Sequence, residues 1–204
     1  MSATRLLVLG VVRMYGKAHG YQVRRELLTW SADKWANVKP GSIYHALKKM
    51  AEEKLLAEVD ASTDAGTDAS GPDRTAYRLT DDGETEFLLL LARSLADDED
   101  TAQRGYRLTA GITFVTALPR ARAISLLRHR LTRMEGQRTT SQDLLSNGTS
   151  WGQPAHVDEL YRLWLANTEA MIGWLEQLIG RLERGEYVMA DDDGTAFGEP
   201  SSTS

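Results

Sequence analysis

The chain has 204 residues, of which 42% are hydrophobic and none is cysteine. This length allows one or two domains with a sizeable core, and the lack of cysteine excludes disulfides, thiol catalysis and cysteine-ligated zinc. The formal net charge of -5 argues against nucleic acid as a partner only if the charge is evenly spread.

The charge is in fact unevenly spread. Residues 1–79 carry 12 basic and 9 acidic side chains, a net of +3, whereas residues 80–204 carry 12 and 20, a net of -8. All six lysines lie at or before Lys54. Such asymmetry favours polyanion binding by the front half, although a net of +3 is also within ordinary variation of composition.

The first predicted helix, over residues 4–15, contains the apolar run 6–12. That run is far shorter than the roughly 20 residues needed to span a bilayer. Arg13 and Lys17 follow it, where a secretory signal would have a small-residue cleavage site. We therefore expect a buried helix in a cytoplasmic protein without a membrane partner.

Two more helices are predicted in the front half. One covers residues 21–29, and the other begins at Pro40, where proline loses no hydrogen bond, and runs to about Lys54. In this third helix the apolar residues recur at helical spacing and form an inner stripe. The stripe is Ile43, Ala46, Leu47 and Met50, and outside it lie Ser42, Tyr44, His45, Lys48, Lys49 and Glu52.

Strand candidates at residues 55–59 and 75–79 flank a polar loop, Asp60–Arg74, which predicts a two-stranded hairpin. Thr80 follows and is expected to cap a connecting helix, because its hydroxyl can accept from free backbone N–H groups. An acidic run at residues 97–100 marks the end of that helix.

The back half is predicted to be helical, with helices over about 102–117, 119–145 and 154–184. In the last helix, apolar residues alternate spacings of four and three, which is typical of a coiled-coil seam. The seam is Val157, Tyr161, Trp164, Thr168, Met171, Leu175, Leu178 and Leu182. The acidic, Gly- and Ser-rich tail is predicted to be disordered.

The order helix, helix, helix, strand, loop, strand is that of a winged helix-turn-helix, whose third helix enters the major groove. Phosphate contacts fix register and base-edge contacts specify sequence. We assign Lys39, Ser42 and Tyr44 mainly to phosphate, and His45 with Lys48 or Lys49 to base edges. An ordinary solvated helix face would carry similar lysines, so the pattern alone leaves both interpretations open.

Several spaced segments resemble the PadR family of transcriptional regulators over roughly residues 5–90. They are Leu9-Gly10-Val11-Val12, His19-Gly20-Tyr21, Pro40-Gly41-Ser42-Ile43-Tyr44, Ala46-Leu47, Leu55-Leu56, Tyr77-Arg78-Leu79-Thr80 and Gly83. The resemblance implies a dimeric DNA-binding protein, usually a repressor. His45 stands where family members commonly have proline, and the long acidic wing also departs from the family pattern.

The expected fold is mainly α, with a winged helix-turn-helix of three helices and a two-stranded wing followed by an all-helical dimerisation domain. The predicted divisions are 1–80 for the DNA-binding domain, 81–100 for the connecting helix, 101–187 for the dimerisation and candidate effector domain, and 188–204 for the tail. The predicted DNA-binding residues are Tyr21, Lys39, Ser42, Tyr44, His45, Lys48, Lys49 and Arg74.

The seam of the last helix predicts a homodimer, because a two-fold contact would bury it and would set two recognition helices about 34 Å apart on a palindromic operator. The assigned residues are Val157, Tyr161, Trp164, Met171, Leu175, Leu178 and Leu182. Packing within one chain would also bury the seam, and the width of the apolar face favours both roles together.

Tyr161, Trp164 and Trp174 form a candidate pocket for a small aromatic effector. The family resemblance favours this interpretation, since some relatives bind planar aromatic compounds at the dimer interface. An aromatic stripe at helical spacing is also the usual pattern of a core.

Enzyme activity is not expected. No glycine-rich phosphate loop is present, and the four histidines lack paired metal-ligand spacing, so neither a cofactor nor a metal is predicted. The competing hypothesis is a winged-helix module that binds another protein, which the small positive charge and the acidic wing would permit.

Overall fold

The computed structural model of the chain describes residues 3–36, 38–60, 75–97, 104–147 and 154–197. The fold is mainly helical, and most helices begin and end within three residues of the predicted limits. In chain order the elements are α1 (Ala3–Tyr15), β1 (Ala18–His19), α2 (Gly20–Thr29), α3 (Ala32–Trp35), α4 (Pro40–Glu52), β2 (Leu56–Asp60), β3 (Thr75–Leu79), α5 (Asp81–Ala96), α6 (Arg104–Thr113), α7 (Arg120–Asn147) and α8 (Asp158–Glu183), with short 3-10 turns at Val115–Ala117 and Ala155–Val157.

The wing is a three-stranded antiparallel sheet in the order β1-β3-β2. Leu56 of β2 pairs with Leu79 of β3, while Ala18 of β1 pairs with Tyr77 on the other side of β3. The predicted hairpin is confirmed, but the sheet has a third strand. Two residues are too few to show a strand periodicity, so β1 and the four-residue α3 were not predicted.

Thr80 caps α5 as the sequence predicts. Its hydroxyl oxygen accepts from the backbone N–H of Gly83 at 3.0 Å. The same hydroxyl donates to the carbonyl of Lys54 at 2.8 Å. The cap therefore also joins the start of α5 to Lys54, just after the end of α4.

α1 is the centre of the molecule. Every residue from Leu6 to Val12 is buried, because α2, α4, α5, α6 and β3 all pack against α1. Phe114, just after α6, lies over Gly10, where a Cβ would overlap its ring. A short helix that is apolar on all sides is therefore a core helix here.

α7 and α8 form an antiparallel pair, since the start of α7 lies beside the end of α8. Most of the predicted seam is buried within this single chain. Leu175 and Leu182 are fully buried, and Tyr161, Thr168 and Leu178 are nearly so. Leu175, Leu178 and Leu182 therefore offer almost no surface to a second chain, and Tyr161 offers little.

The prediction of a disordered tail from residue 188 is wrong for residues 188–197. Met189 and Ala196 are buried there. The run of aspartates suggested a solvated segment, but the apolar side chains on either side of it are buried, and Met189 belongs to the core. Residues 198–204 lie outside the described residues.

One hydrophobic core runs from α1 to Met189. It continues across the predicted boundary at residues 81–100, so the front and back halves do not have separate interiors. Within the described part of the chain, no helix combines the length and the apolar character needed to cross a bilayer.

Candidate nucleic-acid interface

α4 begins with the geometry that the sequence predicts. Lys39 is the extended N-cap residue and Pro40 occupies the first turn. Ser42 donates its hydroxyl proton to the carbonyl of Lys39 at 2.6 Å, which leaves the Ser42 oxygen as an acceptor. Lys39 is exposed, so the first turn of the helix presents a cation to solvent.

The apolar side of α4 is held in the core by Ile43, Leu47 and Met50, each 1% exposed. This anchoring turns the opposite side outward. His45, Lys48 and Lys49 are all exposed, and their i, i+3, i+4 spacing places them on one face of the helix. We call these three residues the recognition face.

Tyr44 has a packing role as well as its predicted contact with phosphate. It is half-buried, and its ring lies over the first turn of α2. A Cβ on Gly20 would lie 2.6 Å from Cε1 of Tyr44, so only glycine permits this approach. The contact fixes α4 against α2, the two helices of the helix-turn-helix.

α2 adds two cations that the predicted site did not include. Tyr21 is exposed and its ring stacks on His19, with centroids 5.7 Å apart. Arg24 and Arg25 are exposed three and four residues further on, on the same side of α2 as Tyr21. That spacing was the available signal in the sequence.

Carboxylates limit the positive surface at the end of α4. Glu52 is exposed one turn beyond Lys48. Glu53 is paired with Arg5, whose Nη2 lies 2.5 Å from Oε2 of Glu53, and this hydrogen bond holds the pKa of the Glu53 carboxyl below its usual value. The cationic surface is therefore concentrated near the start and middle of the helix.

Arg74, the predicted wing contact, lies outside the described residues, as do residues 61–73. The structure places the seven other predicted DNA-binding residues on α2 and on α4 with its N-cap. Within the described segments, no three His, Asp or Glu side chains lie close enough to hold a metal ion.

The three residues of the candidate effector pocket are not brought together. Tyr161 and Trp164 meet edge to face, with ring centroids 5.7 Å apart. Trp174 is ten residues further along α8, about 15 Å by the helical rise. A surface groove at the start of α7 and the end of α8 is lined by Ala121, Ile124, Ser125, Arg128 and Glu183, and includes none of the three.

The first half of α8 keeps an exposed apolar surface. Leu160, Leu163 and Trp164 are 43%, 58% and 46% exposed. Val157 and Met171, also assigned to the dimer, are half-buried. These residues, unlike Leu175, retain surface that a second chain could cover.

Residues 8–88 match the model of the transcriptional regulator PadR-like family. The front half of this chain is a PadR-like domain. The matched region runs from within α1 to the middle of α5, and it contains the whole recognition face. The members of that family are regulators of transcription. The resemblance to this family over roughly residues 5–90 is therefore confirmed.

No curated protein matches the chain. Among solved structures, Bacillus subtilis PadR in complex with operator DNA is 22% identical, with 89% of this chain and 98% of that chain covered and a TM-score of 0.40. Bacillus subtilis PadR in complex with p-coumaric acid is 20% identical over 89% of this chain and 99% of that chain, with a TM-score of 0.38. The PadR-like regulator BC1756 from Bacillus cereus is 17% identical over the same shares, with a TM-score of 0.36.

Proposed function

We propose that the chain is a sequence-specific DNA-binding transcriptional regulator, a cytoplasmic homodimer that represses from a palindromic operator. The observation that carries this proposal is the recognition face. His45, Lys48 and Lys49 project together from a helix whose other side is fixed in the core of a PadR-like domain. Such a helix fits the major groove.

The contacts divide by position along α2 and α4. Lys39 and Ser42 at the helix start and Tyr21 on α2 contact phosphates, which sets the register of the helix on the duplex. Lys48 or Lys49 donates to guanine O6 or N7, and His45 adds a base-edge donor or acceptor. Because the chain carries a net charge of -5, binding rests on these local contacts rather than on a general attraction.

The test uses a DNA duplex from the region upstream of the protein's own gene. We expect Lys48→Ala and Lys49→Ala each to weaken binding by roughly ten-fold, in line with about 1–3 kcal/mol for a good base contact. Arg122→Ala is the matched control, since Arg122 is an exposed cation on α7 and its loss changes the net charge equally.

Affinity for this duplex should also fall steeply as salt is raised from 50 to 200 mM, because phosphate contacts release counterions. If the two lysine variants bind the duplex as tightly as the control, the recognition face does not contact DNA. The absence of any specific complex at low salt would reject DNA binding and leave the protein-binding hypothesis.

The homodimer is proposed from the exposed part of α8. Leu160, Leu163 and Trp164 form an exposed apolar patch, and its contact with water is unfavourable unless a second chain covers it. A two-fold contact there would pair the chains through the projecting end of the α7–α8 hairpin, and each chain would then supply one recognition helix to the operator.

The aromatic effector is proposed for Tyr161 and Trp164 alone, since Trp174 lies apart from them. Their edge-to-face arrangement leaves Trp164 exposed enough to stack on a planar ring. Titration with planar aromatic acids should quench tryptophan fluorescence in the wild type and not in Trp164→Phe. The same quenching in that variant would exclude Trp164 as the contact.

A further inference from the structure

The chain reverses direction directly after α8. Gly185 has a φ of +72°, and its N–H donates to the carbonyl of Leu182 while the N–H of Glu186 donates to the carbonyl of Arg181. This pair of hydrogen bonds is a Schellman motif, which glycine favours because it has no Cβ. The motif directs residues 187–197, here called the strap, back along the molecule.

Arg120, at the start of α7, holds the near end of the strap. Its Nη1 donates to the carbonyl of Leu182 at 2.7 Å and its Nη2 to the carbonyl of Tyr187 at 2.9 Å. Its guanidinium is also paired with the Asp192 carboxylate. The backbone N–H of Arg120 donates to Oδ1 of Asp191 at 2.8 Å, so an aspartate of the strap caps α7.

The far end of the strap reaches the helix-turn-helix. Phe197 stacks on Phe114, with centroids 6.1 Å apart, and its ring lies 5.9 Å from that of Trp30. The carbonyl of Phe197 accepts from the Thr116 hydroxyl at 3.1 Å. Trp30 is the C-cap residue of α2, so the strap contacts the DNA-binding half directly.

Trp30 in turn supports the segment that leads into α4. Its carbonyl accepts from Nε1 of Trp35, the last residue of α3, at 2.8 Å. Val38, which follows closely, is 2% exposed, and Lys39 is the N-cap residue of α4. The strap is thus joined through Trp30 and Trp35 to the segment that leads into the helix that carries the recognition face.

We propose that Phe197 is a positioning residue, which through Trp30 and Trp35 fixes the angle of α4 so that DNA affinity depends on the strap. The proposal rests on the proposed function, because the affected activity is DNA binding. Phe197 belongs to the strap and is not one of the proposed DNA contacts. Its effect is on the population of α4 conformations that fit the groove.

The test compares four variants with the wild type, of which three are full-length and one is shortened. Phe197→Ala removes the ring contacts, and a chain ending at Glu186 removes the strap. Phe197→Tyr keeps the ring and should retain wild-type behaviour. Val188→Ala is the matched control, because Val188 belongs to the strap and is as exposed as Phe197, 46%, but is not one of the rings packed on Trp30 and Phe114.

We expect Phe197→Ala and the shortened chain to bind the upstream duplex about five-fold more weakly, a size typical of coupling through packed residues. Their amide hydrogen exchange should accelerate over residues 30–36 and the first turn of α4. Exchange in the middle of α7 and α8 should stay unchanged, which a general loss of stability would not allow.

The proposal is overturned if Met189 and Ala190 exchange faster in Phe197→Ala while residues 30–36 and duplex affinity stay at wild-type values in both Phe197→Ala and the shortened chain. If the wild type itself does not bind the duplex, the proposed function fails separately. Amide hydrogen exchange over residues 30–36 then tests the role of the strap by itself. Faster exchange in Phe197→Ala and in the shortened chain supports a positioning role, and unchanged exchange rejects it.

Discussion

Arg5 connects three helices through two carboxylates. Its Nη2 lies 2.5 Å from Oε2 of Glu53 at the end of α4, and its Nε lies 3.1 Å from Oε1 of Glu86 on α5. Arg13, two turns along α1, donates to both carboxylate oxygens of Glu84 at 2.8 and 3.0 Å. Single arginines of the central helix thus fix the recognition helix and the connecting helix relative to each other.

The Arg5–Glu53 pair predicts a pH effect on stability. The hydrogen bond from Arg5 lowers the pKa of Glu53 in the folded chain, so its stabilisation is present above the unfolded carboxyl pKa of about 4.3 and is lost as the pH falls through the lower folded value. In Glu53→Gln, whose side chain does not titrate, Tm should therefore fall less on acidification than it does in the wild type. Superimposable Tm profiles below pH 5 would contradict the pairing.

α5 ends against a buried guanidinium from α7. Arg130 is 4% exposed, and its Nε donates to the carbonyl of Leu95 at 2.7 Å and its Nη2 to that of Ser94 at 3.0 Å. These are among the last carbonyls of the helix, where the dipole favours a cation. Arg130 therefore sets how the α7–α8 pair joins the connecting helix.

We predict that Arg130→Met destabilises the chain by about 2–3 kcal/mol, because the carbonyls at the end of α5 lose a charged donor in a buried place. Arg122→Met is the control at an exposed position of the same helix. Urea unfolding measures both. A loss no larger than that of the control would show that water replaces the guanidinium.

Charge is also unevenly distributed between neighbouring helices. The acidic back half contains α7, with six arginines and two acidic residues, next to α8, with five acidic residues and two arginines. The two helices are antiparallel, and Arg128 pairs with Glu183 across them at 2.6 Å. Their opposite charges make the summed charge of residues 80–204 a poor guide to any one surface.

The whole molecule is organised around one core rather than two. α1 contacts the helix-turn-helix as well as α5 and α6, and the strap covers part of the same core. The helix-turn-helix and the α7–α8 pair therefore share one interior.

At this scale we predict that Leu163→Glu weakens the homodimer about ten-fold or more, since it places a charge in the exposed apolar patch. Gln177→Glu is the control, because it adds the same charge at an exposed position about 21 Å along α8. Sedimentation equilibrium gives both dissociation constants. If the two variants match, the dimer contact lies elsewhere.

The regular elements could be predicted because their signals are local. The apolar stripe of α4, the cap at Thr80 and the hairpin strands each depend on neighbouring residues, and each is found within one or two residues of its prediction. β1, the insertion of Phe114 over Gly10 and the strap depend on distant partners. No period or composition in the sequence reports such contacts.

The recognition face was predictable for the same reason, since burial of Ile43 and Leu47 dictates which side of α4 faces outward. The apolar spacing along α8 states only that a face is covered. It does not distinguish a neighbour in the same chain, here α7, from a second copy. Met189 was misjudged because isolated apolar residues among aspartates do not form a pattern.

The close fit of Phe114 over Gly10 has a consequence for evolution. A side chain at position 10 and a phenylalanine at position 114 cannot occupy the same space. Homologues of this chain should therefore show correlated substitutions, with any larger residue at position 10 accompanied by a smaller one at position 114. Such covariation would tie the front and back halves to a shared history, even though the family match covers only residues 8–88.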